Sequence, residues 1–308
     1  MSRQVKIAIG IATYNRPKML SKALDSLRII NLPSNSEVIL IVVDQENSAT
    51  RIVSDQKISF PYDLLYFNEQ HRGIVYARNR ILEEALSQRA DYVAFLDDDE
   101  TTSTNWLVEL YKSMTTFNAT AVYGTVLFEH SKSETESVSE GSFHGMKRLK
   151  DGEKLSVAYT NNVLVDLSFV DKQSLRFHPR LNLTGGEDKL FFLQLVKKGG
   201  RIVGSAKAIT TEELDESRSS TYWLIKRLYR VGYNNYLIFT LAYGKPKGML
   251  MSFASMISNF YSYLVKPFQT SDQLEIEVSR KKRLAEIKGT FHAMLGRKYE
   301  AYREIEGY

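Results

Sequence analysis

The chain has 308 residues, 43% of them hydrophobic and 25% charged, the balance of a soluble globular protein that can bury a large core. It has no cysteine, which excludes a disulfide framework, a thiolate nucleophile and a cysteine zinc site, and fits a reducing compartment. The net charge of +5 is unevenly spread: Ser217 to Ser271 holds Arg218, Lys226, Arg227, Arg230, Lys245, Lys247 and Lys266 and no acid. Those seven cations exceed the whole net charge, so the chain divides near residue 216 into a slightly acidic part, 1–216, and a part with a basic segment, 217–308.

The N-terminus, "MSRQVKIAIGIATYN", enters a strand almost at once without the pattern of a cleaved export signal, so a cytoplasmic location is expected. Apolar runs then alternate with helical periods. "VKIAIGIATYN", "EVILIVVDQE", "DLLYF" and "DYVAFLDDD" read as strands, and helices are predicted from Pro17, over Gly73 to Ser87 and over Thr104 to Phe117. Further strands are predicted at Ala121 to Phe128 and Ala158 to Val165, separated by a polar, Ser-rich loop that includes Glu129 to Lys154. "LTGGEDKLFFLQLVKKGGRIV" places two glycines before an acidic pair and a helix ending at Gly199. The pattern is that of an α/β domain with a mainly parallel sheet.

Beyond residue 216 the chain reads as three helices: "TYWLIKRLYRVGYNNYLIFTLAY", "GMLMSFASMISNFYSYLV" and a charged segment from Asp272. The second is uncharged and carries Ser252, Ser255, Ser258 with Asn259, and Ser262 at nearly helical spacing. It falls short of the roughly 20 apolar residues of a spanning helix. It is expected either to lie on an anionic membrane surface, as a peripheral contact at the inner face of the plasma membrane, or to pack on the α/β domain.

In open α/β sheets ligands bind beyond the carboxyl ends of the strands. Three strands deliver polar residues to that edge: Thr13, Tyr14, Asn15 and Arg16 from the first, Asp44 to Asn47 from the second, and Asp97, Asp98, Asp99 and Glu100 from the fourth. Adjacent carboxylates at a buried strand end repel one another, so a cation must offset their cost. Mg²⁺ or Mn²⁺, held by one or two carboxylates and completed by phosphate oxygens, suits that need. The alternative is an acidic turn, or acids favouring the start of the following helix. Glu187 and Asp188 carry the same two readings at the start of theirs.

Together, "IATYNRP", "VVDQEN", "NEQHRGIVYARN", "YVAFLDDDE", "YTNNVLV" and "GGEDKLFF" resemble, in this order, the inverting family 2 glycosyltransferases over about residues 5 to 210. The basic stretch from Ser220 is similar to the tail of bacterial members that build surface polysaccharides. The resemblance implies a GT-A, Rossmann-like nucleotide-sugar-binding domain with a C-terminal helical extension. It implies transfer from a nucleotide diphosphate-sugar, a UDP-sugar foremost, to a glycan or lipid-linked glycan acceptor. By the same resemblance Tyr14 would stack on the base, Asp44 would accept from its edge and Asp98 would contact the ribose. Asp99 would ligate Mn²⁺ or Mg²⁺, and Asp97 is left open between ribose and metal. Gly73, Arg78 and Asn79 would lie at the helix start beside the nucleotide, with Thr13, Arg16 and Glu187 joining the donor site, and Asp188 would be the general base. Glu100 receives no role. "DQENS" departs from the Asn or Asp followed by Gly and Ser that is more common at that strand end.

A metal-dependent nucleotidyltransferase is the nearest alternative enzyme, but "TYNRPKML" lacks the Gly-rich signature it favours after the first strand. The five histidines form no HExxH pair, and Gly10 lies within a strand with no G-x-G-x-x-G after it, which opposes zinc and nicotinamide chemistry. A non-catalytic module binding a membrane surface or nucleic acid through its basic helices is a further alternative; no nucleic-acid partner is expected.

Overall fold

Alternation along the first strand, β1 (Val5–Thr13), sends Ile7, Ile9 and Ile11 to one face of a sheet and Ala8 to the other, all fully buried. The protein is described from a computed structural model covering residues 3–50, 53, 60–130, 149–214, 220–265 and 272–300. After β1 come α1 (Pro17–Leu27), β2 (Ser36–Asp44), β3 (Asp63–Asn68), α2 (Ile74–Ser87), β4 (Tyr92–Asp97) and β5 (Glu100–Thr102). These are followed by α3 (Trp106–Thr116), β6 (Ala121–His130), β7 (Lys154–Leu155), β8 (Asn162–Asp166) and α4 (Leu167–Lys172). The chain continues through α5 (Glu187–Lys197) and β9 (Ile202–Leu214) into α6 (Thr221–Tyr243), α7 (Lys245–Val265) and α8 (Gln273–Met294).

Among the described residues the strands form one sheet in the order β3-β2-β1-β4-β8-β6-β9-β5, with β7 beside β9. Its heart, β3-β2-β1-β4, is parallel as expected, and antiparallel pairings of β8 with β4 and β6, and of β9 with β5 and β7, extend it. Both faces are covered. Leu20, Ala23, Leu24 and Leu27, at helical spacing on α1, join Trp106, Leu107, Leu110 and Met114 of α3 on the face of Ile7. Val75, Ala77, Ile81, Leu82 and Ala85 of α2 cover the face of Ala8. Gly10 marks the place where Ile81 of α2 presses onto β1 with no room for a Cβ, so its glycine serves packing.

The parallel register aligns strand ends. Thr13 sits opposite Asp44, Ala12 opposite Asp97, and Asp44 opposite Asn68, so β1, β2, β3 and β4 all deliver their last residues to one edge. The order differs from the sequence expectation in three places. β5 stands where only the approach to a helix was expected, and the helix opens at Trp106. β8 begins at Asn162, four residues later than predicted, because Ala158 to Asn161 approach it without pairing. β9, a 13-residue strand, was not anticipated. Of the Ser-rich loop, residues 131–148 lie outside the described residues.

The described residues group into two compact units. One consists of residues 3–129, 149–179 and 191–213, the other of 180–190 and the chain from 214 onward. In the second unit α6, α7 and α8 pack on one another. Gly232 and Gly289 let α6 and α8 touch backbone to backbone: a Cβ on the first would strike the Glu286 carbonyl and one on the second that of Tyr229. Thr290 seals the crossing by donating its hydroxyl to the Gly232 carbonyl at 3.0 Å.

Candidate active site

The cation that the acidic strand end calls for is in the chain itself. Arg16, just past β1, donates from Nη1 to Asp98 Oδ1 at 3.2 Å and to Asp99 Oδ2 at 3.1 Å. Thr13 donates its hydroxyl to Asp98 Oδ2 at 2.7 Å, and Arg78 of α2 donates to Asp97 Oδ1 at 3.1 Å. Five of the expected donor-site residues therefore meet at the shared edge of β1 and β4, with Asp99 as the sixth. Besides the divalent metal expected there, two guanidinium groups reach the cluster from positions distant in sequence.

Asp98 is buried, and burial is the largest influence on its carboxyl; Arg16 opposes that influence, Asp99 and Asp97 reinforce it and the Thr13 hydroxyl eases it. The result is a carboxyl pushed up to about 7. Burial alone would weaken the charge of Arg16, yet Asp98, Asp99 and Asp97 hold its pKa above the ordinary arginine value. Asp97 stays more open, with 39% of its side chain exposed against 16% for Asp99.

Glu100, which sequence reasoning left without a role, is enclosed. Oε1 accepts from Asn161 Nδ2 at 2.7 Å, and Oε2 has no hydrogen-bond partner among the described residues, although Thr210 stands near enough to favour its charge. Burial, then Asp97, raises its pKa well above the usual carboxylate range. Its pairing in β5 opposite Glu212 of β9 explains why it is internal.

Two of the expected nucleotide contacts, Asp44 and Asn79, make hydrogen bonds within the fold. Asp44 is fully buried: Oδ1 accepts from the Glu46 amide at 3.0 Å, and Oδ2 from the Ala49 amide at 2.8 Å and the Tyr66 hydroxyl at 2.9 Å. It shapes the turn after β2 and does not present its oxygens outward. Asn79 donates to the Phe177 carbonyl and accepts from the Phe177 amide, both at 2.9 Å. That reciprocal pair uses its amide to hold residue 177 against α2, and it stands beyond the first turn of the helix. Tyr14 has Arg72 over its ring, 5.2 Å from the centroid.

Gly73 caps α2 with φ 118°, a backbone that favours glycine. Gln45, the departing residue of "DQENS", holds it there. Its Oε1 accepts from the Gly73 amide at 3.2 Å and its Nε2 donates to the Gly73 carbonyl at 3.1 Å and to that of His71. Gln45 was placed at the strand edge by the sequence but without a role; the departure from the common pattern was the signal of one.

The acidic pair lies in the second unit. Gly185 and Gly186, at φ 83° and 82°, turn the chain into α5. Asn234 of α6 donates to the Thr184 carbonyl at 2.8 Å, and its Cβ lies against Gly186. Glu187 is buried, while Asp188 is partly exposed and accepts from the Lys189 amide at 2.6 Å. Lys189 extends to Asn235 Oδ1 at 2.8 Å; burial lowers its pKa, and Asp188 and Glu286 counteract that. The turn that carries the acidic pair is thus fastened to α6.

The sequence pattern described as Glycosyl transferase family 2 matches residues 8–172, more than half of the chain. The chain belongs to glycosyltransferase family 2. Succinoglycan biosynthesis protein ExoM of Rhizobium meliloti is 35% identical to this family 2 chain over 228 residues, covering 73% of it and 72% of ExoM. Mannosyltransferase PcManGT of Pyrobaculum calidifontis, solved with GDP-Man and Mn²⁺, shares the fold with a TM-score of 0.63 at 13% identity, over 95% of this chain and 88% of that one. S. aureus TarS 1–349, solved with UDP-GlcNAc, does so with a TM-score of 0.55 at 15% identity, over 96% and 93%. The fold is the GT-A type, a mixed sheet with a parallel heart followed by C-terminal helices.

Among the described residues no three acidic or histidine side chains form a metal cage. A divalent metal completed by substrate phosphates needs only one or two carboxylates. Asp99 and Asp97, hard oxygen donors with part of their side chains exposed, fit that smaller requirement.

Proposed function

We propose that this protein transfers a sugar from a nucleotide diphosphate-sugar, a UDP-sugar foremost, to a glycan or lipid-linked glycan in polysaccharide assembly, with inversion at the anomeric carbon. The observation that carries the reading is the meeting of Thr13, Arg16, Arg78, Asp97, Asp98 and Asp99 at the shared edge of the parallel strands β1 and β4. Family membership supports glycosyl transfer. ExoM, named for succinoglycan biosynthesis, supports a polysaccharide acceptor, and the UDP-GlcNAc and GDP-Man held by the two structural relatives support a nucleotide-sugar donor.

In this reading Thr13 and Asp98 receive the ribose and Tyr14 stacks on the base. The turn ordered by Asp44 and Gln45 borders the base, which makes Asp44 a positioning residue. Gly73, whose φ of 118° lets the chain turn into α2, brings the start of that helix beside the anion. Asp99 and Asp97 would hold Mn²⁺ or Mg²⁺, which supplies charge neutralisation as the diphosphate leaves. Arg16 and Arg78 keep the carboxylates compatible with a buried strand end. Asp188 removes the acceptor proton, and Glu187 supports the donor side. We assign donor chemistry to residues 1–216, and acceptor or membrane contact to 217–308.

The test is to incubate the purified protein with Mn²⁺, a panel of nucleotide sugars and glycan acceptors, and to measure nucleotide diphosphate release. One nucleotide sugar should be turned over in an acceptor-dependent way, with the new linkage of opposite anomeric configuration. Absence of turnover and of donor binding across the panel removes the reading.

A further inference from the structure

We propose that the outer face of α7 docks the protein on an anionic lipid surface. The helix is inverted relative to an ordinary surface helix. Gly248, Ser252, Ser255, Asn259 and Ser262 share the side that faces the helices it packs on, whereas Ser258 is exposed. Ser252 is buried with its hydroxyl on the Gly248 carbonyl at 2.8 Å, Gly248 lies against the backbone of Thr240, and Asn259 accepts from Arg283 of α8 at 3.1 Å. Ser255 and Ser262 lie on the same side and are half-buried. On the opposite side Leu250, Phe253, Ile257, Phe260, Tyr261 and Leu264 are all exposed, between 48% and 70%.

Their spacing places the six within an arc of roughly 120°, running along about 21 Å of helix. Scattered exposed apolar residues are ordinary on a soluble protein, but a continuous apolar row on one helix marks an interaction surface. Among the described residues no helix is long and apolar enough to cross a membrane, so the row suits a helix lying in the plane of an interface.

Charge selects the occupant. From Thr221 to Val265 the sequence contains no acidic residue. Lys245 and Lys247 are exposed in the first turn of α7, where long side chains can reach phosphate headgroups while the apolar row enters the acyl boundary. At the start of α6, Tyr222 is 75% exposed and Arg227 stacks over Trp223 at 5.2 Å, an aromatic and basic pairing also suited to headgroups. An anionic leaflet meets both the apolar row and the uniform charge. The inference rests on exposure and charge, and holds whichever sugar is transferred.

The full-length protein is sedimented with vesicles of phosphatidylcholine alone and of phosphatidylcholine with phosphatidylglycerol. Partitioning to the anionic vesicles should exceed that to neutral ones by about tenfold and fall with added salt. Ile257→Glu, at an exposed position, should cut it by about tenfold with far-UV circular dichroism and nucleotide binding unchanged, and Lys245→Glu with Lys247→Glu should do the same. No partitioning, or partitioning that Ile257→Glu leaves intact, overturns the proposal. So does a dimer in solution that Ile257→Glu dissociates, because the row would then be covered by a second copy of the chain.

Discussion

Asp98 offers a direct probe of the site's electrostatics. Its carboxyl is raised from 3.8 to about 7 by burial and by Asp99 and Asp97, with Arg16 and Thr13 opposing. Because the folded pKa lies above the unfolded one, the folded chain holds a proton that the unfolded chain has released between about pH 4 and about pH 7. Stability associated with Asp98 is therefore fully present below the lower value and is lost as pH rises through the upper one. A shift of about three units at about 1.4 kcal/mol per unit makes the loss about 4 kcal/mol. Asp98→Asn cannot ionise, still accepts from Thr13, and should remove this contribution to the pH slope. The assay is urea unfolding at a series of pH values in a chelating buffer. The reporter is Trp106, which is fully buried, in a Trp223→Phe background that makes it the sole tryptophan. The stability difference between Asp98→Asn and its parent should grow by about 4 kcal/mol across the window. Parallel pH profiles for the two proteins would refute the claim that Asp98 carries a raised pKa.

Asp188→Asn should keep donor binding and lose about 10²- to 10⁴-fold in transfer rate, as read by nucleotide release against calorimetric donor affinity. Asn79→Ala should lower unfolding free energy by about 1 to 3 kcal/mol, because the Phe177 amide and carbonyl lose their partner, and should leave donor affinity unchanged; a binding defect without a stability defect would restore it as a nucleotide contact. Gly289→Ala should destabilise the helical unit by about 1 to 3 kcal/mol despite alanine's higher helix propensity, since its Cβ would strike the backbone of Tyr229; thermal melting of the helical signal checks this.

The heart of the fold was legible because β1, β2 and β4 are buried on both faces and read as continuous apolar runs bounded by polar turns. β9 escaped because "IVGSAKAITTEEL" mixes small and polar residues among its apolar ones, so no clean period stands out. β5 escaped because three residues ending an acidic run look like the approach to a helix, and only pairing with β9 makes them a strand.

At the site, the residues brought to the strand edge could be listed from the sequence, but their partners could not. Arg16 reaches Asp98 across 82 positions and Arg78 reaches Asp97 across 19, and no local pattern records either contact. Asp44 and Asn79 received nucleotide roles from the family resemblance, which does not record their hydrogen bonds within the fold. Those of Asp44 run to the nearby Glu46 and Ala49 amides, and those of Asn79 to Phe177, 98 positions away. The serine stripe of α7 was legible as a stripe, whereas the side of the helix it occupies was settled by packing against α6 and α8.

The central claim is that the edge of β1 and β4 binds a nucleotide diphosphate with a divalent metal. Calorimetric titration of UDP with and without Mn²⁺, into the wild type and Asp99→Ala, tests it most directly. Mn²⁺ should tighten UDP binding to the wild type by about tenfold or more, and this gain should vanish in Asp99→Ala. Equal UDP affinity in both proteins with the Mn²⁺ gain intact would contradict the account.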